Sequence, residues 1–131
     1  MTRLHFQPIQ GEAPSIIRAI LQTEEVASLG DMRDDIRLVA EELVVNIADY
    51  SGSDYLDVEI MRSGEQITFR FRDGGVAFNP LEKEPPDITQ PWEQRRIGGL
   101  GIFMVMKKMD RVEYARTDGQ NILTVMKKVK G

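Results

Sequence analysis

Cysteine is absent from this sequence of 131 residues, which excludes disulfides and thiolate metal sites. Long apolar runs are absent too, since no stretch approaches the ~18 residues that a membrane-spanning helix needs. The first residues also lack the apolar core of a signal peptide, so we expect a cytoplasmic protein without a membrane partner. Basic residues are in deficit, with 17 lysines and arginines against 21 acidic residues, and the net charge of −4 argues against direct binding of nucleic acid.

The overall composition is that of an ordinary globular protein, with 41% hydrophobic and 29% charged residues. A chain of this length suits one domain over residues 1–131. Such a domain buries roughly two thirds of the surface of its unfolded chain, so we expect it to fold without a disulfide or a structural metal.

Apolar spacing predicts two helices in the first half of the chain. The first begins at Pro14, which suits an initial helical turn, and ends at Gly30. Asp31 is expected to cap the second helix, which ends near Tyr50. Its predicted buried face consists of Met32, Ile36, Val39, Ala40, Leu43 and Ile47, at spacings of three and four.

Alternation of apolar and polar residues predicts strands on both sides of these helices. A short strand over residues 4–9 is expected at a sheet edge, because Pro8 cannot donate to a ladder. The other predicted strands span residues 56–60, 67–71, 112–115 and 122–129, joined as hairpins at Ser63-Gly64 and Asp118-Gly119.

The resulting order, β-α-α-β-β-loop-α-β-β, predicts an α+β fold. We expect a two-layer sandwich in which helices cover one face of a mixed, mostly antiparallel sheet. The loop covers residues 79–97, where four of the six prolines lie among charged residues. Loops of that length inside a domain are usually functional or disordered, and we interpret this one as a lid.

A carboxylate and an amide share one side of the second predicted helix. Glu42 and Asn46 are four residues apart, and Asp49 joins them at ~100° of rotation per residue. Oxygen ligands at the border of core and solvent suit Mg²⁺, which takes few protein ligands. The alternative is a solvated helix face without a ligand.

A second cluster follows the strand that ends at Asp73. The paired glycines Gly74 and Gly75 let the backbone approach a ligand closely. Asp73, beside the apolar Val76 and Phe78, could accept a hydrogen bond from a base amino group. The alternative is a plain turn.

A third cluster combines arginines with glycines at a helix start. Arg95 precedes Gly98, Gly99, Leu100 and Gly101, which open a helix that runs to about residue 109. Exposed N–H groups and the helix dipole favour an anion there. The spacing fits neither a Walker loop nor a Rossmann fingerprint. The alternative is a glycine-rich helix start that binds nothing.

Taken in order, the three clusters resemble the GHKL superfamily of ATP-binding domains. More narrowly, they resemble the bacterial anti-sigma-factor serine kinases, over essentially the whole chain. The segments that carry the resemblance are Glu41-Glu42-Leu-Val-Val-Asn46, Asp73-Gly-Gly-Val-Ala-Phe-Asn-Pro80, Arg95-Arg-Ile-Gly-Gly-Leu-Gly-Ile102 and Gly119-Gln-Asn-Ile-Leu-Thr-Val125.

The resemblance implies a role for each matching residue around ATP and Mg²⁺. Asn46 would hold the metal, and Glu42 would be the catalytic carboxylate. Asp73 would accept from the adenine amino group, with Gly75 giving room for the base. Thr124 would lie near adenine.

For the phosphates, the resemblance implies contacts from the lid and from the helix that follows it. Arg95 would reach the terminal phosphate, and Gly98, Gly99 and Gly101 would wrap the phosphates. With Phe78 and Leu100, these residues complete the implied nucleotide-binding set.

As a function, the resemblance implies a protein-serine kinase and anti-sigma regulator. It would phosphorylate a STAS-type antagonist and bind a sigma factor or similar regulator. Members of the family are commonly homodimers, so the resemblance also implies a homodimer. A module that closes on ATP and sequesters a partner without catalysis is the alternative. A detached histidine-kinase ATPase domain is less favoured, because no phospho-acceptor helical hairpin is present.

Two apolar sets lie outside these clusters. Met104, Met106 and Met109 are expected to pack in the core. Leu38 and Val45 lie opposite the main stripe of their helix, where they could contact the first helix, another subunit or a partner.

Overall fold

The computed structural model describes residues 1–82 and 99–129. Helix α3 is preceded by a 3₁₀ turn, Gly30–Met32, and runs into a π-helical turn, Ile47–Ser51. The strands and helices, in chain order, are β1 (Thr2–Phe6), α1 (Ala13–Leu21), α2 (Glu24–Ala27), α3 (Arg33–Asn46), β2 (Leu56–Ser63), β3 (Gln66–Asp73), α4 (Gly99–Lys108), β4 (Arg111–Thr117) and β5 (Gln120–Lys128).

The sheet has the strand order β1-β2-β3-β5-β4, and each neighbouring pair within the described residues is antiparallel. The predicted α+β class is therefore confirmed, although no parallel pair occurs in this part of the chain where a mixed sheet was expected. Strand β1 lies at an edge as predicted. It ends at Phe6, so Pro8, which has no N–H to donate, lies outside the hydrogen-bonded ladder.

One face of the sheet forms the core. Along β2 the side chains of Leu56, Val58 and Ile60 are buried, and they alternate with half-buried polar residues. The same alternation continues along β3 and β5, so the helices cover a single face. Of the apolar stripe predicted for α3, Met32 is partly buried and the rest is buried: Ile36, Val39, Ala40, Leu43 and Ile47.

The helical region of the first half differs from the prediction in two places. The first helix ends at Leu21, and the short α2 follows before Gly30, whose φ of 62° ends the run. Asp31 is not the N-cap of α3, because the 3₁₀ turn passes directly into the helix with Met32 at the cap position. Asp31 still adds negative charge near the helix start, which the dipole favours.

The C-terminal end of α3 widens into the π-helical turn before Gly52, whose φ is 71°. Wider turns of this kind are frequent near functional sites. Here the turn places Ser51 next to the chain that leaves β3, and Tyr50 stacks on Phe78 with ring centroids 5.6 Å apart. In the described ranges, no helix has the length and hydrophobicity to cross a membrane.

Candidate functional site

Asp73 is the last residue of β3 and is only 2% exposed. It lies directly opposite Asn121 of β5 in the antiparallel ladder. Its Oδ1 accepts hydrogen bonds from the backbone N–H of Gly75 at 2.9 Å and from Nδ2 of Asn121 at 3.1 Å. Two donors therefore fix the orientation of this buried carboxylate.

Gly75 packs against the backbone at the end of the π-helical turn. A Cβ atom at this position would lie 2.0 Å from the carbonyl oxygen of Ser51. The next residue, Val76, donates its N–H to that same oxygen at 2.8 Å. The protein's own backbone therefore explains why glycine is required at position 75, whereas the resemblance attributed this glycine to the space needed for a base.

A cavity opens beside Asp73. It brings together three of the predicted site residues, Asn46 from α3, Asp73 from β3 and Phe78 from the following loop. Most of its wall is apolar, with a few polar groups, as is usual for small-molecule sites. The other lining residues are Leu43, Ile47, Phe71, Pro80, Tyr114, Asn121 and Leu123.

Glu42 and Asn46 meet one helical turn apart, as their spacing predicts. Nδ2 of Asn46 donates to Oε1 of Glu42 at 3.0 Å. Because a carboxylate only accepts, this bond fixes the amide and turns Oδ1 of Asn46 away from Glu42. An amide oxygen at the wall of the cavity, 4% exposed as a residue, suits a Mg²⁺ ion that keeps most of its waters.

The first turn of α4 lies against the carboxylate of Glu42. A Cβ atom on Gly101 would lie 1.8 Å from Cδ of Glu42, so a larger residue there would require the Glu42 side chain to move. This contact brings the carboxylate of α3 to the glycine-rich helix start, and so joins two of the three clusters that the sequence predicted. The N-terminus of α4, where a helix favours negative charge, therefore lies beside Glu42.

Helix α4 begins at Gly99, with Leu100 in its first turn, in agreement with the predicted glycine-rich start. Arg95, Gly98 and most of the predicted lid over residues 79–97 lie outside the described residues. Asp49 is exposed on the π-helical turn. Within the described ranges no group of three or more histidine, aspartate or glutamate side chains could hold a metal by itself.

Thr124 is not among the residues that line the cavity, and its place near adenine stays a prediction. Thr124 pairs with Arg70 and Glu113, and side chains alternate along a strand. It therefore points to the face opposite that of Asn121 and Leu123, which line the cavity. Asn121 could have been identified from the sequence, because it is a polar residue at one of the alternating positions of β5 that face the core.

Two methionines also differ from expectation. Met104 and Met106 are exposed, at 44% and 55%, whereas Met109 is buried. Leu38 and Val45 are exposed as well, so they do not pack on the first helix as a buried contact would.

Residues 10–127 match the family of the histidine kinase-like ATPase domain. The chain belongs to this family. The match covers all three clusters.

Named protein kinases are among the relatives of this histidine kinase-like ATPase domain. The serine/threonine-protein kinase BtrW of Bordetella bronchiseptica is 22% identical over 98 residues, which cover 72% of this chain and 69% of BtrW. The serine-protein kinase RsbW of Listeria monocytogenes is 26% identical over 98 residues, which cover 69% of this chain and 62% of RsbW. The chain therefore spans less than two thirds of the length of RsbW.

Solved structures share the fold at lower identity. The histidine kinase AdeS of Acinetobacter baumannii superposes with a TM-score of 0.57 and 12% identity, covering 100% of this chain and 69% of that one. The histidine kinase domain of a blue-light-activated kinase from Erythrobacter litoralis gives a TM-score of 0.55 and 15% identity, covering 93% and 61%. These likenesses show the α+β ATPase fold.

Proposed function

We propose that this chain is an ATP-dependent protein-serine kinase that acts on a STAS-type antagonist and binds a sigma factor or a similar regulator. The observation that carries the proposal is the contact of Gly101 with Glu42, which is itself bonded to Asn46. That contact and that hydrogen bond link a carboxylate, a candidate metal ligand and a helix N-terminus, and the metal ligand, Asn46, also lines the cavity beside Asp73. Phosphoryl transfer needs these three features.

Adenine would occupy the cavity beside Asp73. Both hydrogen bonds to that carboxylate from the described residues end on Oδ1, so Oδ2 is the oxygen that would accept from the adenine amino group. Guanine presents a carbonyl oxygen at that position, which would leave a buried acceptor unpaired. The apolar wall, which includes Leu43, Phe78 and Leu123, would cover the faces of the base.

The phosphates would lie between α3 and the start of α4. Oδ1 of Asn46 would ligate Mg²⁺, which, when bound, neutralises charge on the phosphates. Backbone N–H groups around Gly99 and Gly101 would bind phosphate oxygens, and the helix dipole favours that charge. By resemblance, Gly98 and Leu100 belong to the same group of contacts, and Arg95 would reach the terminal phosphate from the lid.

In the proposed reaction, Glu42 acts as the general base. The hydroxyl proton of the acceptor serine passes to the Glu42 carboxylate while the serine oxygen forms a bond to the terminal phosphorus. The bond between that phosphorus and the oxygen of ADP breaks, and ADP leaves. The carboxylate is half-buried between two helices, so it is held in a defined position beside the phosphates.

The identity of the protein substrate is proposed from the relatives. BtrW and RsbW are named serine/threonine-protein and serine-protein kinases, and the sequence resembles anti-sigma-factor kinases along its length. A STAS-type antagonist as acceptor and a sigma factor as bound regulator follow from that resemblance.

A non-catalytic module that sequesters a partner when ATP binds is the second candidate. The hydrogen bond from Asn46 and the contact with Gly101 favour it, because they also give Glu42 a purely structural use. In that case Glu42 would link α3 to α4 and would not act on a hydroxyl group.

Transfer of a labelled terminal phosphate separates the two candidates. The protein would be incubated with γ-labelled ATP, Mg²⁺ and a candidate STAS-type protein, with an alanine variant of the acceptor serine as control. Label on the partner that disappears with the alanine variant supports the kinase. Binding of ATP and partner without transfer of label contradicts it and favours the sequestering module.

A further inference from the structure

Asn121 is a buried amide whose full hydrogen-bonding capacity is used at the edge of the cavity. It is 4% exposed. Its Nδ2 donates to Oδ1 of Asp73 at 3.1 Å and to the carbonyl oxygen of Val76 at 2.7 Å. Its Oδ1 accepts from the backbone N–H of Phe78 at 3.1 Å and from the hydroxyl of Tyr114 at 2.5 Å. Two donor hydrogens and two lone pairs are all that an amide offers.

These partners also fix which way the amide of Asn121 points. Rotating it by half a turn would set its oxygen against the Asp73 carboxylate and the Val76 carbonyl, which are both acceptors. It would also set the amide hydrogens against the N–H of Phe78. The side chain is therefore a rigid connector with a donor side that faces Asp73 and an acceptor side that faces the following loop.

We propose that Asn121 is a positioning residue that sets the preference of this site for adenine over guanine. By donating to Oδ1 of Asp73, together with the N–H of Gly75, it leaves Oδ2 as an acceptor that cannot rotate away. By accepting a hydrogen bond from the N–H of Phe78, it also fixes the position of that residue, whose ring lines the cavity and stacks on Tyr50. The inference rests on the proposed binding of an adenine nucleotide and assigns its selectivity to this side chain.

Substitution of Asn121 by aspartate tests the donor side alone. The variant has nearly the same shape and still accepts from Phe78 and Tyr114. It replaces the donor with an oxygen that faces the carboxylate of Asp73, and two buried carboxyl groups at this distance share a proton. A shared proton gives Asp73 a donor, which suits the carbonyl oxygen of guanine and not the amino group of adenine.

The measurement is the affinity of the folded protein for ADP and for GDP by calorimetry with Mg²⁺. Diphosphates retain the base and cannot transfer a terminal phosphate. We expect Asn121→Asp to reduce the preference for ADP by roughly 5- to 150-fold, the range for a buried polar group left without its partner. A general loss of structure would weaken both nucleotides alike and leave their ratio unchanged.

Gln120→Glu is the matched control, because it makes the same amide-to-carboxyl change at the neighbouring residue of β5, whose Nε2 donates to the hydroxyl of Tyr55 and which does not line the cavity. Its ratio of affinities should match that of the wild type. If Asn121→Asp does not fold, Asn121→Ser, which is too short to reach Asp73, should lower the same ratio.

A folded variant at position 121 that keeps the wild-type ratio would overturn the role of Asn121 and leave the proposed function intact. Wild-type protein that binds neither ADP nor GDP would overturn both.

Discussion

At the end of β3, the side chains of Asp73 and Asn121 are tied to each other and to three backbone groups, whereas on α3 Glu42 and Asn46 share one hydrogen bond with each other. The first pair lies within a sheet, and its geometry is set before any ligand arrives. The second pair lies between two helices and presents oxygens that suit a metal ion. We infer that base selectivity is built into the fold, while the reacting end is completed by the metal and the phosphates.

The largest effect on activity should come from substitution of Glu42, the proposed general base. Glu42→Gln keeps an oxygen that can accept from Nδ2 of Asn46, but it removes the basic carboxylate. We expect turnover toward the protein substrate to fall by roughly 10²- to 10⁴-fold, as for a lost general base, with Mg·ATP affinity nearly unchanged. Single-turnover phosphorylation and calorimetry measure the two quantities.

Asn46→Ala is the contrasting variant for that test, because it removes the proposed metal ligand and should weaken Mg·ATP binding itself. If Glu42→Gln phosphorylates the partner as fast as the wild type does, Glu42 is not the base. If both variants lose binding and turnover by similar factors, the separate roles proposed for Asn46 in metal binding and for Glu42 in catalysis are wrong.

At the base end, Asp73→Asn should change which nucleotide is preferred. The amide oxygen can keep the bonds from Gly75 and Asn121, which turns the amide hydrogens toward the position of Oδ2. A donor there matches guanine, so the preference for ATP over GTP should fall by roughly 5- to 150-fold. Calorimetry with both nucleotides checks it, and an unchanged ratio would remove Asp73 from base recognition.

The contact that joins the two helices is tested by Gly101→Ala. The new Cβ would lie 1.8 Å from Cδ of Glu42, so that side chain would have to move and give up its bond from Asn46, and we expect a destabilisation of about 0.5–1.5 kcal/mol in thermal or urea unfolding. Combining it with Glu42→Ala removes the colliding side chain. The double variant should lose less stability than the sum of the single variants, and simple additivity would contradict the contact.

The smallest effect is expected far from both ends, at the edge strand β1. Nδ1 of His5 is hydrogen-bonded to Oδ1 of Asp57, and this bond, with the charge of Asp57, raises the pKa of His5 above its ordinary value of about 6.5 against the lowering effect of burial. The pair therefore contributes its full stabilisation at pH values below the ordinary pKa of histidine. This contribution is lost as the pH rises through the higher pKa of the folded state.

We accordingly expect the wild type to exceed His5→Gln in thermal stability at acidic pH, with the difference fading toward alkaline pH. Both proteins should bind nucleotide equally, since neither residue lines the cavity. A difference that grows with pH would contradict the assignment of the pair.

Local patterns predicted most of the fold. The turn at Asp118-Gly119 is an example, because both residues have positive φ, as a two-residue hairpin turn between β4 and β5 requires. The buried stripe of α3 follows in the same way from a helical period that needs no knowledge of the rest of the chain.

Local patterns were insufficient where distant segments decide. The face of β5 that carries Thr124 is set by the register of β5 with β3, and a shift of one residue exchanges the two faces. Asn121 was missed because its partners Asp73, Val76 and Phe78 lie far away in the sequence. Asp31 failed as a cap because the turn before α3 is itself helical.

The close approach of Gly75 to the carbonyl of Ser51 bears on how this family's history can be interpreted. Selection on folding alone would retain glycine at this position, because a larger residue would collide with the protein's own chain. A descendant that had lost nucleotide binding would still carry it. The presence of this glycine in a relative therefore indicates a shared fold and does not by itself indicate nucleotide binding. Asp73 is not subject to that steric constraint, so loss of the ligand should first be seen as substitution of Asp73.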